Sequence, residues 1–158
     1  MNADGKRLAL DVQLDFSEKD ADGAEFLSPV SVRDSLVNIG GSIELEAEVS
    51  ANVRYVCDRC CEKFDSTLTF RMKELLRKEE TDSEAELNPD VIYFKGSFAE
   101  LDEIVLENIF LNLPVKRVCK PDCRGLCPMC GRNLNRGECE CDTRTADPRF
   151  DVLDKFFE

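Results

Sequence analysis

Nine cysteines and no histidine set the chemistry open to this chain. Six of the nine fall within VCKPDCRGLCPMCGRNLNRGECEC, from Val118 to Cys141, and the other three stand together in CDRCC as Cys57, Cys60 and Cys61. Two residues between cysteines let one backbone turn aim both sulfurs at a single tetrahedral ion, with Zn–S bonds of about 2.3 Å. In CPMCG, Pro128 favours the turn and Gly131 can take the positive φ that turns backbone N–H groups toward the thiolates. With Cys61 set aside, eight thiols remain, which is two sets of four. Cys127 and Cys130 pair most naturally with Cys139 and Cys141, because GRNLNRGE between them is turn-rich and long enough to fold back. Cys57, Cys60, Cys119 and Cys123 then form the other set. The competing arrangement is one site from Cys119, Cys123, Cys127 and Cys130, with the other thiols free. Cys61 stands where Gly131 follows the second CxxC, so the first pair departs from the CxxCG pattern and Cys61 reads as a bystander.

Without histidine any four-ligand site of this kind is built from cysteine alone, and such closed sites are structural, with no open position for water. The expected cofactor is therefore Zn2+, two ions per chain, and metal-dependent hydrolysis is disfavoured. Iron is the rival metal, although the Cx3C and CxC spacings do not follow the common ferredoxin runs. Disulfides fit poorly with an odd cysteine count and a reducing compartment. A thioredoxin-like role needs a CxxC opening a helix after a strand, whereas Cys57 and Cys60 follow a strand and precede another.

The elements that must position these thiols read mostly as strands. LALDVQLDF places Leu8, Leu10, Val12, Leu14 and Phe16 at alternate positions, and SVRDSLVNIG predicts a second strand ended by Gly40 and Gly41. SIELEAEVSANVRYVC then holds one alternating register from Ile43 to Cys57 and delivers that cysteine to its end. A tight turn and a further strand with Phe64, Leu68, Phe70 and Met72 follow, so the first cysteine pair sits at a hairpin tip, where a metal would pin the register. The tract Glu79 to Asp90 has little to bury and reads as an exposed connection. VIYF predicts a short strand and SFAELDEIVLENIFLNL a helix, with Ser97 and Glu100 as a capping box and Pro114 beyond its end. Asp147 and Pro148 resemble the start of a last short helix. The expected fold class is α+β: a mostly antiparallel sheet, one main helix and a zinc-stapled C-terminal segment. The chain reads as one domain over 1–158, with sheet and helix in 1–113 and the cysteine-rich segment in 114–158.

The formal charge is −12, from 33 acidic and 21 basic residues, which argues against a generic nucleic-acid binder. Its distribution is uneven. Pro114 to Gly137 carries six bases, Lys116, Arg117, Lys120, Arg124, Arg132 and Arg136, against the single acid Asp122, which leaves −17 on the remainder. These bases can offset the negative charge of zinc–thiolate clusters, or they can meet RNA phosphates. Asn133 and Asn135 can close turns or read bases. The chain lacks a Walker A loop, a GxGxxG fingerprint and a GxSxG elbow. No stretch approaches the roughly 18 apolar residues of a membrane span and no secretory signal is evident, so a soluble, cytoplasmic protein is expected.

The long strand running into VCDRCCEKF, the helix ending IFLNLPV, and the tail CKPDCRGLCPMCGRNLNRGECEC followed by DPRFDVLDKF together resemble the YceD family, the large ribosomal RNA subunit accumulation proteins. The resemblance covers most of the chain. It implies a cytoplasmic, non-enzymatic factor for accumulation of 23S rRNA, acting on the precursor or the assembling large subunit. The implied partner is the 23S rRNA precursor or a large-subunit ribosomal protein, met through the basic tail and a sheet face, with no membrane and no small-molecule substrate. The rival classes are a zinc-ribbon adaptor for protein partners and a thiol oxidoreductase.

Overall fold

Strict alternation from Leu45 to Tyr55 becomes the central strand of the molecule. In the computed structural model, which describes residues 5–19, 21–79 and 88–141, that strand is β4, Ser42–Val56. Leu45, Ala47, Val49, Ala51, Val53 and Tyr55 point to one buried face, while Glu44, Glu46 and Glu48 point to the other. The remaining elements are β1 (Arg7–Leu14), β2 (Glu25–Phe26), β3 (Val30–Ile39), β5 (Lys63–Lys78), β6 (Val91–Phe94) and α1 (Leu101–Asn112). The chain divides into two compact units, Met1–Val56 with Lys63–Val115, and Cys57–Glu62 with Lys116–Glu158.

The first unit is a six-stranded sheet in the order β1-β3-β4-β5-β6, with β2 on β4. All pairs are antiparallel except β5 with β6. The β4–β5 ladder runs from Ser42↔Arg77 to Val56↔Lys63, so a six-residue connection, Cys57–Glu62, closes the hairpin at its far end. The mostly antiparallel sheet with one helix is the architecture that the alternation predicts. The two-residue β2 was not legible, being too short to show a period.

The core is the inner sheet face covered by Phe16, Phe26 and the buried side of α1, Ile104, Val105 and Ile109. Phe16 and Phe26 meet at 5.6 Å between ring centroids, and Tyr55 and Phe64 at 5.8 Å. Each fully buried aliphatic side chain here contributes about 1.5–3 kcal/mol of transfer free energy. The side chain of Asn108 donates to Glu74 Oε1 at 2.8 Å, which ties α1 to β5.

The expected capping box does not form. The helix begins later than SFAE suggests, Glu100 itself is the N-cap in an extended conformation, and no side chain caps the first turn. Ser97 therefore stands too far ahead to reach the exposed N–H groups. Of the acidic tract only Glu79 and residues 88–90 are described, and the terminal helix expected after Asp147 lies outside the described residues. Among the described residues no helix is long and apolar enough to cross a membrane.

Candidate metal centres

The turn Cys57–Glu62 has the backbone of a metal knuckle. The Cys57 N–H donates to the Glu62 carbonyl at 2.9 Å, and the Cys61 N–H donates back to the Cys57 carbonyl at 2.9 Å. The second CxxC repeats the pattern: Cys127 N–H to the Arg132 carbonyl at 2.8 Å, and Gly131 N–H to the Cys127 carbonyl at 2.9 Å. In both turns the residue after the second cysteine has positive φ, 58° at Cys61 and 71° at Gly131. Cys61 thus fills a glycine's place. It is exposed and belongs to neither sulfur cluster.

The sulfurs of Cys57, Cys60, Cys119 and Cys123 lie within 4.8 Å of one another, as do those of Cys127, Cys130, Cys139 and Cys141. The structure brings together these two fours and not the competing set of Cys119, Cys123, Cys127 and Cys130. Cys57 Sγ is 3.8 Å from Cys123 Sγ, and Cys60 Sγ is 3.7 Å from Cys119 Sγ. A tetrahedral ion with bonds of about 2.3 Å holds its sulfurs about 3.8 Å apart, whereas a disulfide requires about 2.05 Å. Donor type, number and spacing fit a thiolate-bound metal ion in both places.

Neighbouring groups prepare the sulfurs unequally. Burial opposes ionisation of Cys57, yet the N–H groups of Cys119, Cys60 and Arg59 aimed at it outweigh burial and bring its pKa down to about 6. The Cys123 thiol is also lowered against burial, by the Asn135 amide, which donates to its Sγ at 3.3 Å, and by the Gly125 N–H. Burial and the adjoining Cys123, Cys60 and Cys57 sulfurs push Cys119 up to about 12. Cys60 is raised as well: the Glu62 N–H opposes the shift, but burial and the Cys57 and Cys123 sulfurs prevail. In the second cluster the N–H groups of Cys130 and Met129 bring Cys127 down to about 6, while the Cys130 sulfur and then burial push Cys141 up to about 12. Four sulfurs this close cannot all ionise alone, and a dication reverses that by stabilising every thiolate.

The first cluster draws on two distant chain segments, and residues between its ligands stitch them together. Asp58 N–H donates to the Arg117 carbonyl at 2.8 Å, and Arg117 N–H returns to Asp58 Oδ2 at 2.6 Å. The Arg59 guanidinium donates to the carbonyls of Cys123 at 2.9 Å and Pro121 at 3.3 Å, and its own carbonyl accepts from Leu126 N–H at 3.0 Å. Gly125, at φ 74°, lies so close that a Cβ there would stand 3.0 Å from the Arg59 carbonyl oxygen. The sequence reading missed Arg59 and Asp58, and of Asn135 it read the turn-closing role but not the contact to Cys123 Sγ. Their signal was position: two of them sit between paired ligands, and Asn135 stands in the turn already singled out.

The six bases expected to meet phosphates are mostly paired within the same unit. Arg124 meets Glu138 at 3.3 Å, Arg132 donates to the Glu138 carbonyl at 3.0 Å, Arg136 pairs with Glu62, and Lys120 stands 3.9 Å from Asp122. Lys116 is exposed and Arg117 half-buried. Asn133 and Asn135 close the turn: Asn135 N–H donates to Asn133 Oδ1, and Asn135 Oδ1 accepts from Arg124 N–H, both at 2.9 Å. Bases of the outer sheet face are likewise paired with acids. Lys73 lies 2.9 Å from both Glu44 and Glu46, which raise its pKa to about 12, and Arg54 meets Asp65 at 2.6 Å.

The family model described as large ribosomal RNA subunit accumulation protein YceD matches residues 45–157, a span that includes every cysteine. The chain is similar to the large ribosomal RNA subunit accumulation protein YCED homolog 1, chloroplastic, of Zea mays, at 25% identity over 89% of this chain and 58% of that protein. The Arabidopsis thaliana protein of the same name is 20% identical over 80% of this chain and 48% of its own length. An uncharacterized protein of Mycobacterium tuberculosis is 31% identical over 48% of this chain and 37% of its own. The chain thus spans about half the length of the plant relatives it matches. No solved structure matches.

Proposed function

The chain belongs to the YceD family of large ribosomal RNA subunit accumulation proteins, and from that premise we propose that it is a non-enzymatic, cytoplasmic factor supporting 23S rRNA accumulation during large-subunit assembly. The family match across residues 45–157 is the observation that carries this reading. Two Zn2+ ions, each held by one of the two four-cysteine sets, give the Cys57–Glu62 and Lys116–Cys141 segments a fixed shape. Their role is structural, since thiolates would fill all four positions of each ion.

The 23S rRNA precursor is met through Lys116, Arg117, Lys120, Arg124, Arg132 and Arg136. Their ion pairs do not preclude this. The Arg124–Glu138 and Lys120–Asp122 pairs are solvent-exposed, and exposed pairs are weak enough to be exchanged for phosphate. Ultraviolet crosslinking of the tagged protein in growing cells, followed by sequencing of the recovered RNA, tests the reading. Enrichment of 23S precursor at discrete positions is expected, and recovery at background would overturn direct contact. With purified precursor RNA, Lys116→Ala with Lys120→Ala should flatten the salt dependence of binding by about 0.7 logarithmic units per lost contact to single-stranded RNA.

A further inference from the structure

A surface helix ordinarily turns a polar face to water. The second half of α1 exposes large apolar side chains there as well. Ile104, Val105 and Ile109 fill the core, yet Phe110 is 42% and Leu111 82% exposed, and Val115 just beyond the helix is fully exposed. Phe110 and Leu111 continue the stripe opened by Glu103 and Glu107, at three- and four-residue steps on the side away from the core, and all four are exposed. The electrostatics of this stripe are one-sided. Glu107 adjoins the apolar pair, and no basic residue stands in the last turn, where cations normally answer the negative end of the helix dipole.

The geometry points to the outer face of α1 as a docking surface for a basic, amphipathic segment of another protein. Exposed aromatic and aliphatic side chains take up apolar residues of the partner. Glu103, Glu107 and the helix C-terminus take its lysines or arginines. The same charges repel phosphate, so the occupant is a polypeptide and not RNA. The platform is preformed, because Asn108 fixes the helix to Glu74 and the buried side of α1 is locked into the core. α1 belongs to the first unit and the cysteine clusters to the second, and the rRNA reading stands or falls independently of this proposal.

The test is a photoreactive benzophenone amino acid placed at Leu111 in growing cells, with Thr67 on the outer sheet face as the control position. Both sites are exposed, so neither replacement disturbs the core. Crosslinked peptides are identified by mass spectrometry. A Lys/Arg-rich segment with regularly spaced apolar residues should be recovered from position 111 and not from 67. Charge reversal by Glu103→Lys with Glu107→Lys should reduce its yield by roughly tenfold, the effect of about 1.4 kcal/mol in binding. Crosslinks to RNA, to a second copy, to this chain's own residues 142–158, or at the yield seen from Thr67 would overturn the proposal, as would a yield unchanged by charge reversal.

Discussion

The two sulfur clusters have the same ligand chemistry and nearly the same knuckle, but different settings. In the first, Cys57, Cys60 and Cys123 are buried and the ligands come from segments nearly sixty residues apart. In the second, only Cys127 is buried, Cys130 is exposed, and all four ligands come from the span 127–141. An ion in the first would close a long loop that Arg59 and the Asp58–Arg117 contacts also hold. One in the second would close a short loop whose Cys130 is exposed. The difference teaches that the same four-cysteine donor set is built into two settings of unequal burial.

The comparison breaks most severely at the ligands. Cys57→Ser should abolish one ion and, since structural zinc contributes on the order of 10 kcal/mol to small domains, unfold the Cys57–Glu62 and Lys116–Cys123 segments while the second cluster keeps its ion. Cys141→Ser should also remove one ion, yet leave the amide protection around Asp58, Arg59 and Arg117 intact. Hydrogen exchange measures both, and equal loss of protection would erase the distinction. A milder perturbation is a chelator, which should strip the open cluster first, at least about tenfold faster than the buried one, a barrier difference of about 1.4 kcal/mol. A single release rate would contradict the contrast.

Acid sharpens the same comparison, because protons compete with metal for every thiolate. In the metal-free protein Cys57 and Cys127 ionise near 6, below the ordinary thiol value of about 8.5. Their stabilising contribution is complete above that ordinary value and lost as pH falls through 6. Cys119 and Cys141, pushed to about 12, act with the opposite sign: their contribution is present below the ordinary value and lost as pH rises through 12. Ultraviolet thiolate absorbance read at the moment of chelation, before the ligand segments unfold, should therefore rise in a first step near pH 6 and a last one far above neutrality, and after unfolding it should merge into one step near the ordinary thiol value. The zinc-loaded protein should show no step at neutral pH.

The smallest effects lie in the knuckle backbone. Gly131→Ala should cost about 1 kcal/mol for placing a Cβ at φ 71°, whereas Cys61→Gly should stabilise by up to about 1 kcal/mol by relieving the same strain at 58°. Thermal unfolding with zinc present checks both. Destabilisation by Cys61→Gly would mean that the exposed thiol has a role the geometry does not assign it.

Much of this was legible in the sequence because its signals are local. Two-residue spacing points to a knuckle, CxC after a turn-rich loop is its favoured partner over the competing set of Cys119, Cys123, Cys127 and Cys130, and alternation over Leu45–Tyr55 points to a strand with one buried face. The unread features depend on distant partners or on competition between neighbours. Nothing near Arg136 announces Glu62, and Arg59 reads as a surface charge until the chain from Arg117 to Leu126 folds against it. The helix start was misplaced because Ser97 and Glu100 have capping-box spacing, but Glu100 becomes the cap position itself. IVLENIFLNL carries apolar residues all around the helix, so its period could not show which of them stay exposed.

Native mass spectrometry of the protein, purified without added metal and sprayed before and after brief chelation, tests the central claim most directly. Two zinc ions per chain are expected, falling first to one, with Cys139 and Cys141 becoming open to alkylation before Cys57 and Cys123. A metal-free chain whose melting temperature a chelator leaves unchanged, or one closed by disulfides, would contradict it.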